Sequence, residues 1–237
     1  PIWKKSELGF SIPDSKHAVS VALPTWKDVI NYEKKTPKCI NTLKSIYPRF
    51  GFNPLLKKLS NEIKVSISNN NQNIWPYSNE FLALKAKQFC DKKSSKTNSY
   101  IEKRNKLALL ITKGSASEYA RSFWQHTGLG ASSREVAIDL GIESSPSSYL
   151  VDKKYQEIVT RISQFTKINS NDIHLTSSGM SALYSSLEII YKLFPNRPTL
   201  QIGFPYVDVL KLPKNIFHGA KLLTEENCND IELEIKR

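Results

Sequence analysis

Ser177-Ser178-Gly179-Met180-Ser181-Ala182-Leu183 is the stretch on which the reading of this chain turns. It follows a short apolar segment, Ile173-His174-Leu175-Thr176. It opens an amphipathic helix pattern in which Leu183, Leu187, Ile190, Tyr191 and Phe194 share one face. A strand that turns through Ser-Ser-Gly into a helix leaves backbone N–H groups unpaired and pointing at one spot. The helix dipole adds partial positive charge there, so the turn suits an anion, a phosphate above all. Gly179 allows close approach of a ligand to the backbone. The same signal also suits an ordinary helix capped by serine.

Downstream the pattern predicts a βαβ unit: a strand over 172–176, a helix over 181–194 and a second strand over 199–203. Such units place parallel strands side by side, with ligands at the carboxyl ends of the strands. Ser178-Gly179-Met180 and Phe204-Pro205-Tyr206 both fall at such ends. Upstream, Tyr155, Ile158, Val159, Ile162 and Phe165 fit one face of another helix. Residues 79–90 and 117–125 also read as helices, and Leu107–Thr112 as a buried strand. The polar stretches 66–73, 91–99 and 144–148 read as loops or linkers.

Composition narrows the function classes. The 237 residues are 40% hydrophobic, enough for a substantial core, and the net charge is +12. Residues 1–113 carry 21 basic against 8 acidic side chains, and residues 114–237 carry 13 against 14, so the excess lies in the first half. That half could be a nucleic-acid surface, but its lysines come in scattered pairs without interleaved aromatics. A solvated basic face is the favoured reading, and nucleic acid is not an expected partner. Cys39, Cys90 and Cys228 form no CxxC motif, and His17, His126, His174 and His218 lack metal-ligand spacing. No metal is expected. No apolar run approaches the roughly 20 residues that cross a bilayer, and the start shows no secretory pattern. The expected location is a reducing cytoplasm.

Four ordered motifs go further. They are His17-Ala-Val-Ser-Val-Ala-Leu-Pro-Thr-Trp26, Tyr47-Pro-Arg-Phe50, Phe123-Trp-Gln-His-Thr-Gly-Leu-Gly-Ala-Ser-Ser-Arg134 and Gly203-Phe-Pro-Tyr-Val-Asp208. With Ser178-Gly179-Met180, the chain resembles the pyridoxal 5′-phosphate (PLP)-dependent enzymes of cysteine and methionine metabolism. It is most similar to the cystathionine γ-synthases with a long N-terminal region, best known from fungi. The resemblance implies an α/β chain: the N-terminal portion of a type I, aspartate-aminotransferase-like fold, with a mostly parallel sheet and flanking helices. Residues 1–113 would be a basic N-terminal region and 114–237 the start of the PLP-binding domain.

It also implies roles. Gly179 and Met180 would donate N–H groups to the cofactor phosphate, with Ser178 adding a hydroxyl or capping the helix. Tyr206 would stack on the cofactor ring. The family's Tyr-x-Arg phosphate contact has two candidates: Tyr47 with Arg49, favoured by residue identity, and Ser133-Arg134, favoured by spacing to Gly179. His126 reads as structural or substrate-positioning. The Schiff-base lysine and the acidic partner of the cofactor ring are not identifiable, so a C-terminal polypeptide is expected to complete the site. The complete assembly would be a homo-oligomer, dimer or tetramer, acting on small amino acids. It would join an activated homoserine ester to cysteine, or, as a related lyase, eliminate at the β or γ carbon. A non-catalytic partner-binding or nucleic-acid-binding fragment is the alternative of another class.

Overall fold

A computed structural model describes residues 3–67, 71–224 and 228–236. Part of the loop expected over 66–73 therefore lies outside the described residues. Contacts divide the chain into two units: Pro1–Arg121 with Gly130–Glu143, and Ser122–Leu129 with Ser144–Arg237. The division between the units falls after Arg121, Leu129 and Glu143.

The first unit opens with the short antiparallel pair β1 (Ser11–Ile12) and β2 (Ser20–Val21) and the helices α1 (Trp26–Glu33) and α2 (Pro37–Thr42). Thr25 caps α1 by accepting the Asp28 N–H, while Asp28 returns a carboxylate to the Thr25 N–H. Helix α3 (Pro54–Ser66) starts on proline at its first position, where a missing N–H does no harm, with Asn53 as its cap. The sheet follows: β3 (Asn73–Tyr77), helix α4 (Glu80–Asp91), β4 (Ser99–Lys103) and β5 (Ala108–Thr112). Its order is β3-β5-β4, with every pairing antiparallel. Helix α5 (Ala116–Thr127) runs from this unit into the next, and α6 (Ser133–Asp139) returns to it.

Strand β5 is buried at all five positions because it is central. With side chains alternating along the strand, Leu109 and Ile111 join Leu55, Leu56, Leu59 and Ile63 of α3, Val136 and Ala137 of α6, and Ile74 in one apolar core. The β4–β5 hairpin is closed by Arg104 N–H donating to Leu107 O, and Arg104 pairs with Asp139, whose side chain is fully buried.

The second unit contains α7 (Ser148–Thr166), α8 (Gly179–Leu193), β6 (Thr199–Ile202), α9 (Val207–Ile216), β7 (Ala220–Leu223) and α10 (Cys228–Lys236). Strands β6 and β7 pair in parallel through the α9 crossover. Three aromatic contacts form its centre. Phe123 of α5 meets Tyr184 edge-on at 5.9 Å, and Phe217 stacks on Tyr184 at 5.4 Å and on Tyr191 at 4.7 Å. Burial among these rings, with the Glu188 carboxylate nearby, raises the Tyr184 hydroxyl well above the usual tyrosine range.

Two expectations need correction. The segment 172–176 is not a strand: residues 170–172 form a 3₁₀ turn, and 173–176 pair with no other described strand. An extended stretch without a ladder partner does not register as sheet, and the βαβ unit is β6-α9-β7, one element downstream. The sheet is not mostly parallel either. The larger one is antiparallel, because a hairpin rather than a crossover helix joins its β4 and β5. The stretch 91–99, read as a linker or exposed loop, is a loop whose ends are tied together: Ser99 is buried and its hydroxyl donates to Asp91 at 2.6 Å. Helix α7 forms as read, but among the described residues its apolar face is largely uncovered. Only Val159 is buried, and Phe165 is 89% exposed.

Breaking the Arg104–Asp139 pair strands a carboxylate in the protein interior. Arg104→Ala is expected to destabilise the first unit by about 3–5 kcal/mol. Urea denaturation, followed by a probe in that unit, checks this.

Candidate functional site

The last turn of α5 places His126 and Thr127, and the chain then reverses at Gly128. Thr127 is fully buried, and its hydroxyl donates to Phe123 O at 2.8 Å. Gly128 takes a φ of +66°, the left-handed conformation that ends helices on glycine. Space demands glycine as well: a Cβ there would lie 2.5 Å from Ser178 Oγ and 3.0 Å from Met180 Cβ. The Gly128 carbonyl accepts from the hydroxyls of Ser177 and Ser178, each at 3.5 Å. The C-terminal turn of α5 therefore rests directly on the turn that starts α8.

That turn is a reciprocal cap. Ser178 Oγ accepts the Ser181 N–H at 3.1 Å, and the Ser178 N–H donates to Ser181 Oγ at 2.9 Å. The N–H groups between them, of Gly179 and Met180, meet no acceptor among the described residues, and nothing lies within 4 Å of a Cβ built on Gly179. Two donors and open space remain at the positive end of a 15-residue helix. An anion with oxygens to share, such as a phosphate, matches this donor set.

Tyr206 is the N-cap residue of α9, beyond the carboxyl end of β6, as read from the sequence. Its side chain is 55% exposed. Asp208, in the first turn of α9, reaches back to α5: its Oδ1 lies 3.8 Å from His126 Nδ1. The end of α5 thus touches the first turns of both α8 and α9.

Ser178, Gly179, Met180 and Tyr206 all belong to the second unit, and Tyr47, Arg49, Ser133 and Arg134 to the first. Arg49 has a φ of +76°, and its guanidinium sits 5.9 Å from the centre of the Tyr47 ring. Ser133 bonds His17 Nδ1 at 2.9 Å, and His17 Nε2 bonds Glu143 at 2.9 Å. Arg134 is exposed. Hydrogen bonds from Lys16 and then His17 hold the Glu143 carboxyl down at about 2. Among the described residues, no group of three or more His, Cys, Asp or Glu side chains could hold a metal ion, and no helix is long and apolar enough to cross a membrane.

Sequence reasoning gave Asp208, Gly128 and Glu143 no separate role. Gly128 carried a legible sign, a glycine just after a helical stretch, but its contact with Ser178 spans 50 residues.

A Saccharomyces cerevisiae protein provisionally named a cystathionine gamma-synthase is 30% identical over 175 aligned residues, covering 65% of this chain and 27% of that protein. A second from the same yeast, named cystathionine gamma-synthase, is 29% identical over 145 residues, covering 54% of this chain and 23% of its own length. A cystathionine gamma-synthase-like enzyme of Amanita muscaria is 22% identical over 326 aligned positions, 96% of this chain and 52% of that enzyme. The chain spans about a quarter of the length of the two yeast relatives. No protein-family profile and no solved structure matches it. The chain is thus similar to proteins named cystathionine gamma-synthase, in agreement with the motifs.

Gly128→Ala is expected to cost more than Gly141→Ala. Both glycines have positive φ, but a Cβ at Gly141 meets nothing within 4 Å. Backbone strain alone is about 1–2 kcal/mol, and the collision with Ser178 adds to it; paired denaturation curves measure the difference. For Glu143, the depressed value means that its stabilisation is complete above the ordinary carboxyl value of 4.5 and fades as pH falls through about 2. The stability gap between wild type and Glu143→Gln should therefore be full at neutral pH and close near the acid end.

Proposed function

We propose that this chain contributes the phosphate cradle of a PLP-dependent enzyme of sulfur amino-acid metabolism, of the cystathionine γ-synthase kind. The reading rests on the named relatives, and one observation in the chain carries it: the open Gly179 and Met180 N–H groups at the start of α8. These fit the phosphate end of the cofactor. Gly179 and Met180 would donate to the phosphate, and Ser178, through its cap, would hold both N–H groups in place. Tyr206, exposed at the start of α9, would lie flat on the ring and set its tilt. An arginine of the first unit, Arg134 or Arg49, would add a two-pronged contact to the phosphate, supplied from a neighbouring copy as the resemblance implies.

Bound in this way, PLP supplies an electron sink for carbanions formed next to an amino group. The parent reaction would be replacement of the activated γ substituent of a homoserine ester by cysteine; β or γ elimination is the related alternative. A lysine and an acidic ring partner from further polypeptide would complete the site. The protein would act as a homo-oligomer in the cytoplasm.

Gly179→Pro tests the cradle. Proline at the first helical position keeps the helix but removes one N–H. In the full-length polypeptide, the affinity for PLP, measured by equilibrium dialysis, is expected to fall about 10- to 100-fold, the value of one hydrogen bond to a charged group. Unchanged affinity in a folded Gly179→Pro variant would contradict the assignment, and a full-length wild type that takes up no PLP would contradict the function.

A further inference from the structure

Three helix ends meet in the second unit. The C-terminal turn of α5 carries His126 and Gly128; Gly128 rests on Ser178 at the start of α8, and His126 faces Asp208 at the start of α9. The two side chains are nearly buried, 9% and 14% exposed, with Nδ1 and Oδ1 3.8 Å apart. The helix dipoles put partial negative charge at the end of α5, beside His126, and partial positive charge at the start of α9, beside Asp208. Asp208 stands two residues after Tyr206 in the same turn, and His126 stands two residues before Gly128.

We propose that His126 is a positioning residue of this site: by pairing with Asp208, it fixes the first turn of α9, and with it Tyr206, against the segment whose Gly128 supports the α8 cradle. His126 touches no reacting atom in this role. It sets the register between the residue that would stack on a ring and the residues that would hold its phosphate, so it rests on the proposed function for the identity of the ligand. The coupling itself is a property of the chain alone.

The test uses the full-length polypeptide with PLP as the probe. The readouts are affinity and the circular dichroism of the cofactor band per bound cofactor, which reports ring orientation. His126→Ala and Asp208→Asn are each expected to weaken binding about tenfold and to reduce the induced band, and the double variant to be no worse than either, since coupled residues do not add. Asn places its amide nitrogen near the position of Nδ1 and Gln places it near Nε2, so His126→Asn should restore the band and His126→Gln should not. That contrast also decides the matter if the alanine variant fails to fold. An unchanged band in His126→Ala and Asp208→Asn, or purely additive losses, would overturn the proposal.

A second measurement needs no cofactor. In amide spectra of the free protein, His126→Gln and Asp208→Asn should both move the Tyr206–Val207 and the Ser178–Met180 resonances. Shifts confined to the neighbours of the substituted residue would overturn the coupling. Coupled shifts in a wild type that binds no PLP would sink the proposed function and leave the coupling standing.

Discussion

The close approach of Gly128 to Ser178 is the constraint on which the second unit depends. Helix α5 ends on a left-handed residue, and it ends against another helix's cap with no room for a Cβ. Glycine alone meets both demands without strain. Once that contact is made, the backbone oxygen of Gly128 lies against the Ser177 and Ser178 hydroxyls, and the reciprocal cap of Ser178 and Ser181 is fixed beside it. The cap in turn satisfies the N–H groups of Ser178 and Ser181 and leaves those of Gly179 and Met180 available. What the cap leaves unsatisfied is the donor set of the proposed cradle.

The aromatic centre explains why α5 stays in place to do this. Phe123, one turn before Thr127, packs against Tyr184 of α8, and Tyr184 stacks on Phe217 at the end of α9. The same three helices are therefore joined twice, by rings in the core and by polar contacts at their ends. Aromatic pairs contribute roughly 0.5–1.5 kcal/mol each beyond burial, enough to hold a helix end whose hydrogen bonds at 3.5 Å are weak by themselves.

Much of this was legible in the sequence where the signal is local. The Ser-Ser-Gly-Met start of α8, the helix capped by Asn79, the buried strand Ala108–Thr112 and the place of Tyr206 beyond β6 all follow from caps, periodicity and apolar runs. What was not legible depends on distant partners. Proline at position 76 argues against a strand, yet β3 exists because it is an edge, where the missing N–H matters least. The stretch 172–176 has strand-like composition but no strand partner among the described residues. The direction of a sheet follows from how its strands are connected, which composition does not encode. The His126–Asp208 approach joins residues 82 apart and leaves no periodic trace. The family resemblance supplied roles for Ser178, Gly179, Met180 and Tyr206 that local physics alone left as a cap and a strand-end tyrosine.

The central claim is that the start of α8 is a phosphate cradle. A crystal structure of the full-length polypeptide grown with PLP tests it most directly. The account predicts the phosphate within hydrogen-bond distance, about 2.7–3.2 Å, of both the Gly179 and Met180 nitrogens, with the Tyr206 ring over the cofactor. A cofactor bound with its phosphate elsewhere, and those two N–H groups facing only water, would contradict it.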